Sequence, residues 1–473
     1  MNRSAATDNI VSKQFKLLCL CLLVFILLLF TALVSAKDKN HEIFTQNSQQ
    51  FQSLSAKVYK HFVADNSNRI FKAKDIKKLY TEVNILLNKQ QDMLAIATIY
   101  NNLSILSTTI DYELTPFFIK TLINNQQWQI TNTLYSAIEK NNRAVAASID
   151  LYIAEHYLLE GNITQAENRL QALPQRSLSG LERNLFWVLQ GIILQHRKKH
   201  REAIRLYQKV SPESKFYAYA QTNLAIAYIR QQWWSDAHDM LGKILYDKEN
   251  KQQRELHNRL YTILGYSFLQ KEFYRYARDA FRQVELDSQH TNRALLGTAL
   301  SALGQQDYIG ALNSLDYLKS QPVSDIYIDE SHFLTPFAYR RLNQGTLASA
   351  SYNEKINYFQ ARINSQQQLL AQLKNNPSEL LGNAAKPYTT IENQRYDFGE
   401  HYPDAFFKEY AAIHNYKDNI KDSALLKEIE SLKNIYDQTY SAMAKTLIEK
   451  NIAILNSYLS QSKFGLANLY DKQ

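Results

Sequence analysis

Two columns of small residues leave this chain few folds to choose from. Between residues 147 and 318 a small residue stands at Ala154, Gly191, Ala225, Gly265 and Ala299, and each is followed twelve positions later by Ala166, Ala203, Ala237, Ala277 and Ala311. Large side chains keep step with them. Tyr157, Leu194, Tyr228 and Phe268 lie three residues after the first column, Leu170, Tyr207, Leu241, Phe281 and Leu315 four after the alanine, and Leu173, Val210, Ile244, Val284 and Leu318 form a third set. Spacings of three and four put these side chains on one helix face, and polar breaks such as Glu160-Gly161-Asn162 and Arg197-Lys198-Lys199 reverse the chain between columns. Each unit is predicted to be a helical hairpin, and five hairpins in tandem predict a stacked array. The alanines let two helix backbones approach where longer side chains would hold them apart, and the large residues fill the space beside that contact.

These columns resemble the tetratricopeptide repeat (TPR), whose pattern reads W-x2-L-G-x2-Y, then Gly, then A-x3-F-x2-A. The fullest copies are Tyr261-x2-Leu264-Gly265-x2-Phe268 with Ala277-x3-Phe281, and Leu224-Ala225-x2-Tyr228 with Ala237-x3-Leu241. The alanines recur at intervals of 37, 34, 40 and 34 residues, against a family period of about 34. Gln190 and Thr298 stand where the family prefers Leu, and the last turn of the repeats mostly lacks its Pro. The resemblance implies an all-α, TPR-like solenoid whose first helices line a concave groove that binds a protein or peptide partner. Its groove positions fall on Tyr219, Thr222, Asn223, Ile226, Arg259, Thr262, Tyr266 and Arg293, with Leu296 and Leu300 beside them. Asn223, Arg259 and Arg293 resemble the clamp by which some members hold a peptide's terminal carboxylate, although Ile263 and Gly297 replace two of its donors.

The remaining segments are placed around this array of 147–318. Residues 1–36 read as a signal peptide or membrane anchor, 37–52 as a polar linker, 53–146 as degenerate helical repeats, 319–374 as a degenerate repeat running into a long helix, 375–394 as a loop rich in Asn, Pro, Gly and Ser, and 395–473 as a C-terminal helical hairpin. Trp128, Thr131, Tyr135 and Ile138 align as a poor copy, and Ala348 and Tyr352 fit a sixth in which Pro336 occupies the small position. Beyond the loop, Leu425, Ile429, Leu432, Tyr436, Met443, Leu447, Ile454 and Tyr458 form a narrow apolar stripe. Such a stripe pairs with something: the helix ending near 374, the segment 403–418, a partner helix, or a second copy through 425–458.

The run from Leu17 to Ala36 is apolar throughout, follows Arg3, Lys13 and Lys16, and ends in Val34-Ser35-Ala36. It fits either a secretory signal cleaved near Ala36 or an uncleaved spanning helix, and the preceding positive charge places the body outside the cytoplasm, in a bacterial periplasm. Both cysteines, Cys19 and Cys21, lie inside the run, so the sequence beyond it can form no disulfide, no Cys-ligated zinc site and no Cys nucleophile. The formal charge of +9 over 473 residues, interleaved with acids, fits solubility better than a nucleic-acid footprint.

No motif for catalysis is present: no G-x-S-x-G, no phosphate-binding glycine loop, no H-E-x-x-H. His196 and His200, four apart, have ligand spacing, but they sit in the cationic string HRKKHR, which repels a divalent metal. No catalytic, cofactor or metal residue is assigned. Trp234 is expected in the core and Trp233 on the outside. The functional expectation is a non-catalytic binding scaffold of the bacterial envelope. The alternatives are a structural adaptor of a trans-envelope motor, secretion or polymer-export complex acting through the C-terminal helices, and a polymer-processing enzyme whose site lies in 37–146.

Overall fold

In the computed structural model the chain is almost wholly helical, and residues 43–173, 178–243, 251–322, 324–375, 388–391, 394–398 and 403–470 are described. Helix α1 covers 43–65. Eight antiparallel hairpins follow, each with a first helix A and a second helix B. Hairpin 1 is α2 (Ile76–Asn88) with α3 (Asp92–Asn101), and a short α4 (Leu103–Thr108) leads to hairpin 2, α5 (Leu114–Asn124) with α6 (Trp128–Asn141). Hairpins 3 and 4 are α7 (Arg143–Leu159) with α8 (Ile163–Gln171), and α9 (Gly180–His196) with α10 (His200–Tyr207). Hairpins 5 and 6 are α11 (Tyr217–Arg230) with α12 (Trp234–Lys243), and α13 (Lys251–Gln270) with α14 (Tyr274–Phe281). Hairpins 7 and 8 are α15 (Thr291–Gly304) with α16 (Tyr308–Lys319), and α17 (Ile326–Arg341) with α18 (Gly345–Asn375). A β-hairpin, β1 (Tyr388–Ile391) antiparallel to β2 (Gln394–Asp397), precedes α19 (Asp404–Asn419) and α20 (Ser423–Tyr470).

One turn geometry joins A to B in all eight hairpins. A left-handed residue ends each A helix: Gln90, Gln126, Gly161, Lys198, Gln232, Glu272, Gln306 and Asn343, with φ between 58° and 76°. Its N–H, and that of the residue after it, bond back into the helix, as Gln232 N–H does to Ile229 O (3.0 Å) and Trp233 N–H to Tyr228 O (3.0 Å). This pair of bonds caps carbonyls that the helix end would leave unsatisfied. Gly161 takes this conformation without a Cβ penalty, whereas the other seven do so with a side chain in place. The residue five positions on is fully buried in every hairpin: Ala95, Thr131, Ala166, Ala203, Ala237, Ala277, Ala311 and Ala348.

Side-chain size explains how A and B nest. A Cβ added at Gly191 would lie 2.4 Å from Tyr207, and one at Gly265 would lie 2.5 Å from Phe281. Where the first column holds Ala instead of Gly, as at Ala154, Ala225 and Ala299, the residue at the aromatic's place is the smaller Leu170, Leu241 or Leu315. Glycine thus accompanies a ring and alanine a leucine, so the filled volume is conserved across hairpins. Phe281 also meets the next hairpin, where a Cβ at Gly297 would come within 2.3 Å of its ring.

The C-terminal helices close the array. α20 runs 48 residues, roughly 70 Å of helix, and packs antiparallel along α18, with Tyr458 against Phe359 (5.7 Å) and Tyr470 bonded to Ser349. Its first part, through Ile429, Leu432, Tyr436 and Tyr440, shares one core with α1, α19 and hairpins 1–3, while Leu455, Tyr458 and Leu459 belong to the core of hairpins 7 and 8. The apolar stripe of 425–458 is therefore covered inside the chain, by the helix ending near 374 and the segment 403–418, two of the four partners the sequence offers, together with α1, and not by a second copy. Residues 43–52 depart from the polar-linker reading: Phe44, Asn47 and Phe51, on one face of α1, are buried against α19 and α20. The loop expected over 375–394 holds β1 and the first residue of β2 among its described positions. The apolar run 17–36 lies outside the described residues, and among those described no helix is long and apolar enough to cross a membrane.

Two carboxylates mark the joint between the array and the closing helices. Glu409 is fully buried, with Ser48 Oγ donating to Oε1 (2.7 Å) and Tyr436 OH to Oε2 (2.5 Å). Glu160, at turn 3, accepts from the N–H of Ala405 (3.2 Å), the first turn of α19, and faces His156, Asp404 and Lys408. Burial pushes both carboxyls up to about 7, and the charge of Glu160 adds to the rise at Glu409. A pKa raised on folding contributes stability that is complete below the unfolded value and lost as pH climbs through the folded one. The thermal midpoint, followed by circular dichroism, should accordingly fall between about pH 4.5 and about pH 7 and level off above that, and Glu409→Gln should flatten the fall.

Candidate functional site

Successive A helices touch one another along the array, whereas successive B helices have no comparable contact. The A side is therefore the shorter, inner side of the curve. Four inner positions share one register, thirteen residues before the left-handed turn residue: Tyr219 on α11, Arg259 on α13, Arg293 on α15 and Glu330 on α17. Arg259 and Arg293 are exposed and form no salt bridge among the described residues. The guanidinium of Arg293 lies 5.0 Å from the ring centre of Tyr266, whose hydroxyl donates to the carbonyl of Arg293 (2.9 Å) and whose ring meets Phe281 edge-on at 4.9 Å.

The other groove positions divide. Tyr219 is partly exposed, 36% of its surface, and its phenol is raised by the burial of the remainder and by Glu155, a residue two hairpins away on α7. Asn223 is half-buried, its amide spent on Tyr219 O (2.9 Å) and its own carbonyl accepting from Gln195 (2.7 Å). Ile226 packs against the core of hairpins 4–6. Thr222 and Thr262 are buried, and their hydroxyls bond carbonyls of their own helices, Ala218 at 2.9 Å and Asn258 at 2.8 Å. Those two hold the A helices' packing and present nothing to a guest. Gly297, which the clamp comparison treats as a lost donor, is needed small by Phe281.

Further residues complete the inner face. Glu155 is half-buried, its carboxyl raised by burial against the opposing pull of Lys120 and Lys215, and Lys120 lies 5.1 Å from the ring of Tyr152. Glu330 closes the far end beside Tyr458 of α20, and burial lifts its carboxyl to about 7. Extending the register past Pro336 would have found Glu330, because Asn343 carries the same turn as the earlier hairpins. His290 faces Glu255 of α13 as well as Arg259, Arg293 and Arg395 of β2; burial lowers its imidazole most, Glu255 opposes this, and the three cations add to it. The groove thus offers cations and rings at hairpins 5–7 between acids at either end.

Outside the groove, His196 ends α9 and His200 begins α10, so the turn lies between the two histidines. Among the described residues no cluster of His, Cys, Asp and Glu is arranged to hold a metal ion. Trp234 packs against Phe268 at 5.2 Å, and Trp233 is exposed at turn 5 beside a shallow cleft of about 530 Å³ that it lines with Tyr228 and Asp236.

No family model matches the chain. Over 108 residues, 22% of its length, it is 29% identical to the transcription activator GutR of Bacillus subtilis (strain 168), and it spans 13% of that protein. Among solved structures it resembles the apo form of RapI at a TM-score of 0.40 and 15% identity, over 71% of this chain and 97% of that one. Neither likeness reaches far enough to transfer a role. The eight capped hairpins themselves make the chain a helical repeat protein.

Proposed function

We propose that this chain is a non-catalytic TPR-type scaffold that binds a segment of a partner protein in its inner groove, at the envelope of a bacterium. The observation that carries the reading is the row of Arg259 and Arg293 on neighbouring inner helices, exposed, without carboxylate partners among the described residues, and flanked by Tyr219 and Tyr266. Cations beside aromatic faces in a concave surface suit an acidic or carboxylate-ended segment: the guanidinium forks supply directed donors and the rings supply area. The location follows from residues 17–36, read as a signal removed near Ala36 or as an inner-membrane anchor, and leaves the body in the periplasm.

The C-terminal helices act here as a strut that fixes the curvature of the groove, since α18 and α20 tie the first core to the last. Deleting 395–473 would expose the core of hairpins 1–3 and so cannot separate a docking role from a folding one. The discriminating experiment places a photo-crosslinking amino acid at the groove positions 219 or 223, which leave both arginines in place, or, as an outer control, at 202, in cells. Capture of one protein from 219 and 223 but not 202, lowered at least about tenfold by Arg259→Glu with Arg293→Glu, is expected from the loss of two charge-assisted contacts. The double variant should keep the thermal midpoint of the parent, because both side chains are exposed. Undiminished capture by a folded double variant would overturn the groove assignment.

A further inference from the structure

We infer that the edge of the solenoid formed by the A–B turns of hairpins 4–6 rests on an anionic lipid surface. In a stack of hairpins all A–B turns project from one edge, and here that edge carries side chains of an unusual kind. Trp233 of turn 5 is 38% exposed, and Phe273 and Tyr276 of turn 6 are 45% and 63% exposed. Cations stand among them. Lys198 and Lys199 of turn 4 and Lys271 and Arg275 of turn 6 are exposed and form no ion pair among the described residues, and Arg201 lies 5.9 Å from the ring of Trp233. Glu202, Asp236 and Glu272 are the nearby exposed acids, which leaves the edge net positive. Rings interleaved with Lys and Arg on one exposed border suit the headgroup layer, where an amphipathic ring sits at the water boundary and cations meet anionic phosphates.

A second observation picks out lipid as the occupant. The described chain enters the fold at this same edge: Phe44, on the first turn of α1, packs on Phe406 (6.4 Å), and the neighbouring Ala405 N–H bonds Glu160 of turn 3. Exposed Ile43 and, in turn 3, Leu159, 69% exposed, lie there as well. Residue 43 follows Ala36 by seven positions, a reach of roughly 25 Å even when fully extended. If residues 17–36 sit in a bilayer, turn 3 stands next to it, and turns 4, 5 and 6 are the next along the edge. The inference rests on that membrane reading of 17–36, and the experiment separates the two.

The full chain is mixed with vesicles of phosphatidylcholine alone or with phosphatidylglycerol added, its flotation is measured, and hydrogen exchange is followed at 197–201, 231–236 and 271–276. Slower exchange at these turns on the anionic vesicles, diminished roughly tenfold in Lys198→Glu with Lys199→Glu as expected for removing two cations from such a surface, supports the inference. Flotation with both vesicles and unchanged exchange at the turns overturns it while the anchor stands. Without flotation on neutral vesicles the anchor reading fails. Capture by anionic vesicles that the Lys198→Glu, Lys199→Glu variant loses then still supports the edge, and no capture overturns it. Trp233→Ala with Phe273→Ala serves as the variant that keeps the charge; protection of the turns that survives it together with the charge variant also counts against the inference.

Discussion

Replacing Phe281 with alanine should lower the unfolding free energy by about 3–5 kcal/mol, the range for deleting a ring from a packed interior. The ring is buried, wedged between Gly265 of its own hairpin and Gly297 of the next, and touched edge-on by Tyr266. Neither glycine can move in to fill the void, because both belong to helices fixed by their other neighbours. Phe281→Leu should recover part of the loss, since hairpins 3, 5 and 7 hold Leu170, Leu241 and Leu315 at the same place, although there against Ala and not Gly. The converse change, Gly265→Ala, drives a methyl to 2.5 Å from the ring and should itself destabilise by about 1–3 kcal/mol. If size matching governs this contact, Gly265→Ala combined with Phe281→Leu should be more stable than the sum of the two single changes allows, the non-additivity expected of residues in contact. Urea melts of the four proteins would check this, and strict additivity would count against it.

That size rule was the legible part of the fold. It showed where both small columns are intact, in hairpins 3–7, and faded where one column drifts. Val83, Ile119 and Pro336 occupy the first small position of hairpins 1, 2 and 8, yet Ala95, Thr131 and Ala348 keep the second, and the turn residues Gln90, Gln126 and Asn343 adopt the same left-handed conformation. A left-handed Gln or Asn leaves no mark in a sequence comparable to glycine's. The inward face of 43–52 was hidden for a different reason. One of its three inward residues is Asn47, whose partner, Thr439, lies 392 positions away, so the polar residue reads as solvated until its contact is known. The apolar stripe of α20 was visible, and so were α18 and α19 among its candidate covers, since they lie near it in sequence; the contribution of α1, from the opposite end of the chain, was not. In the groove, exposed Arg259 and Arg293 follow from the repeat register, while the retraction of Thr222 and Thr262 into their own helices depends on helix rotation, which column alignment does not resolve.

The other large effect should come from Arg362. Asp329 of α17 is fully buried and accepts from Arg362 Nε (3.2 Å), Arg362 Nη2 (3.3 Å) and the hydroxyl of Tyr358 (2.7 Å). The same Nη2 reaches Gln394 Oε1 (2.6 Å), which also accepts from Gln366, itself bonded to Tyr396. Through this network the β-hairpin is fixed to hairpin 8. Arg362→Met would leave a buried carboxylate with one hydroxyl donor, and breaking such a pair costs about 3–5 kcal/mol. Because the Arg362 side chain keeps some contact with water, the lower end of that range is expected. Asp329→Leu together with Arg362→Met should return most of the loss, since a well-packed apolar pair replaces both charges at little cost. Even so, the double variant would not restore the bond to Gln394. Hydrogen exchange at 388–391 and 394–397 should therefore remain fast in the single and double variants alike, while the global melt recovers only in the double. An exchange rate that recovers with the melt would mean that the strands are held by the general stability of hairpin 8 and not by the Arg362 fork.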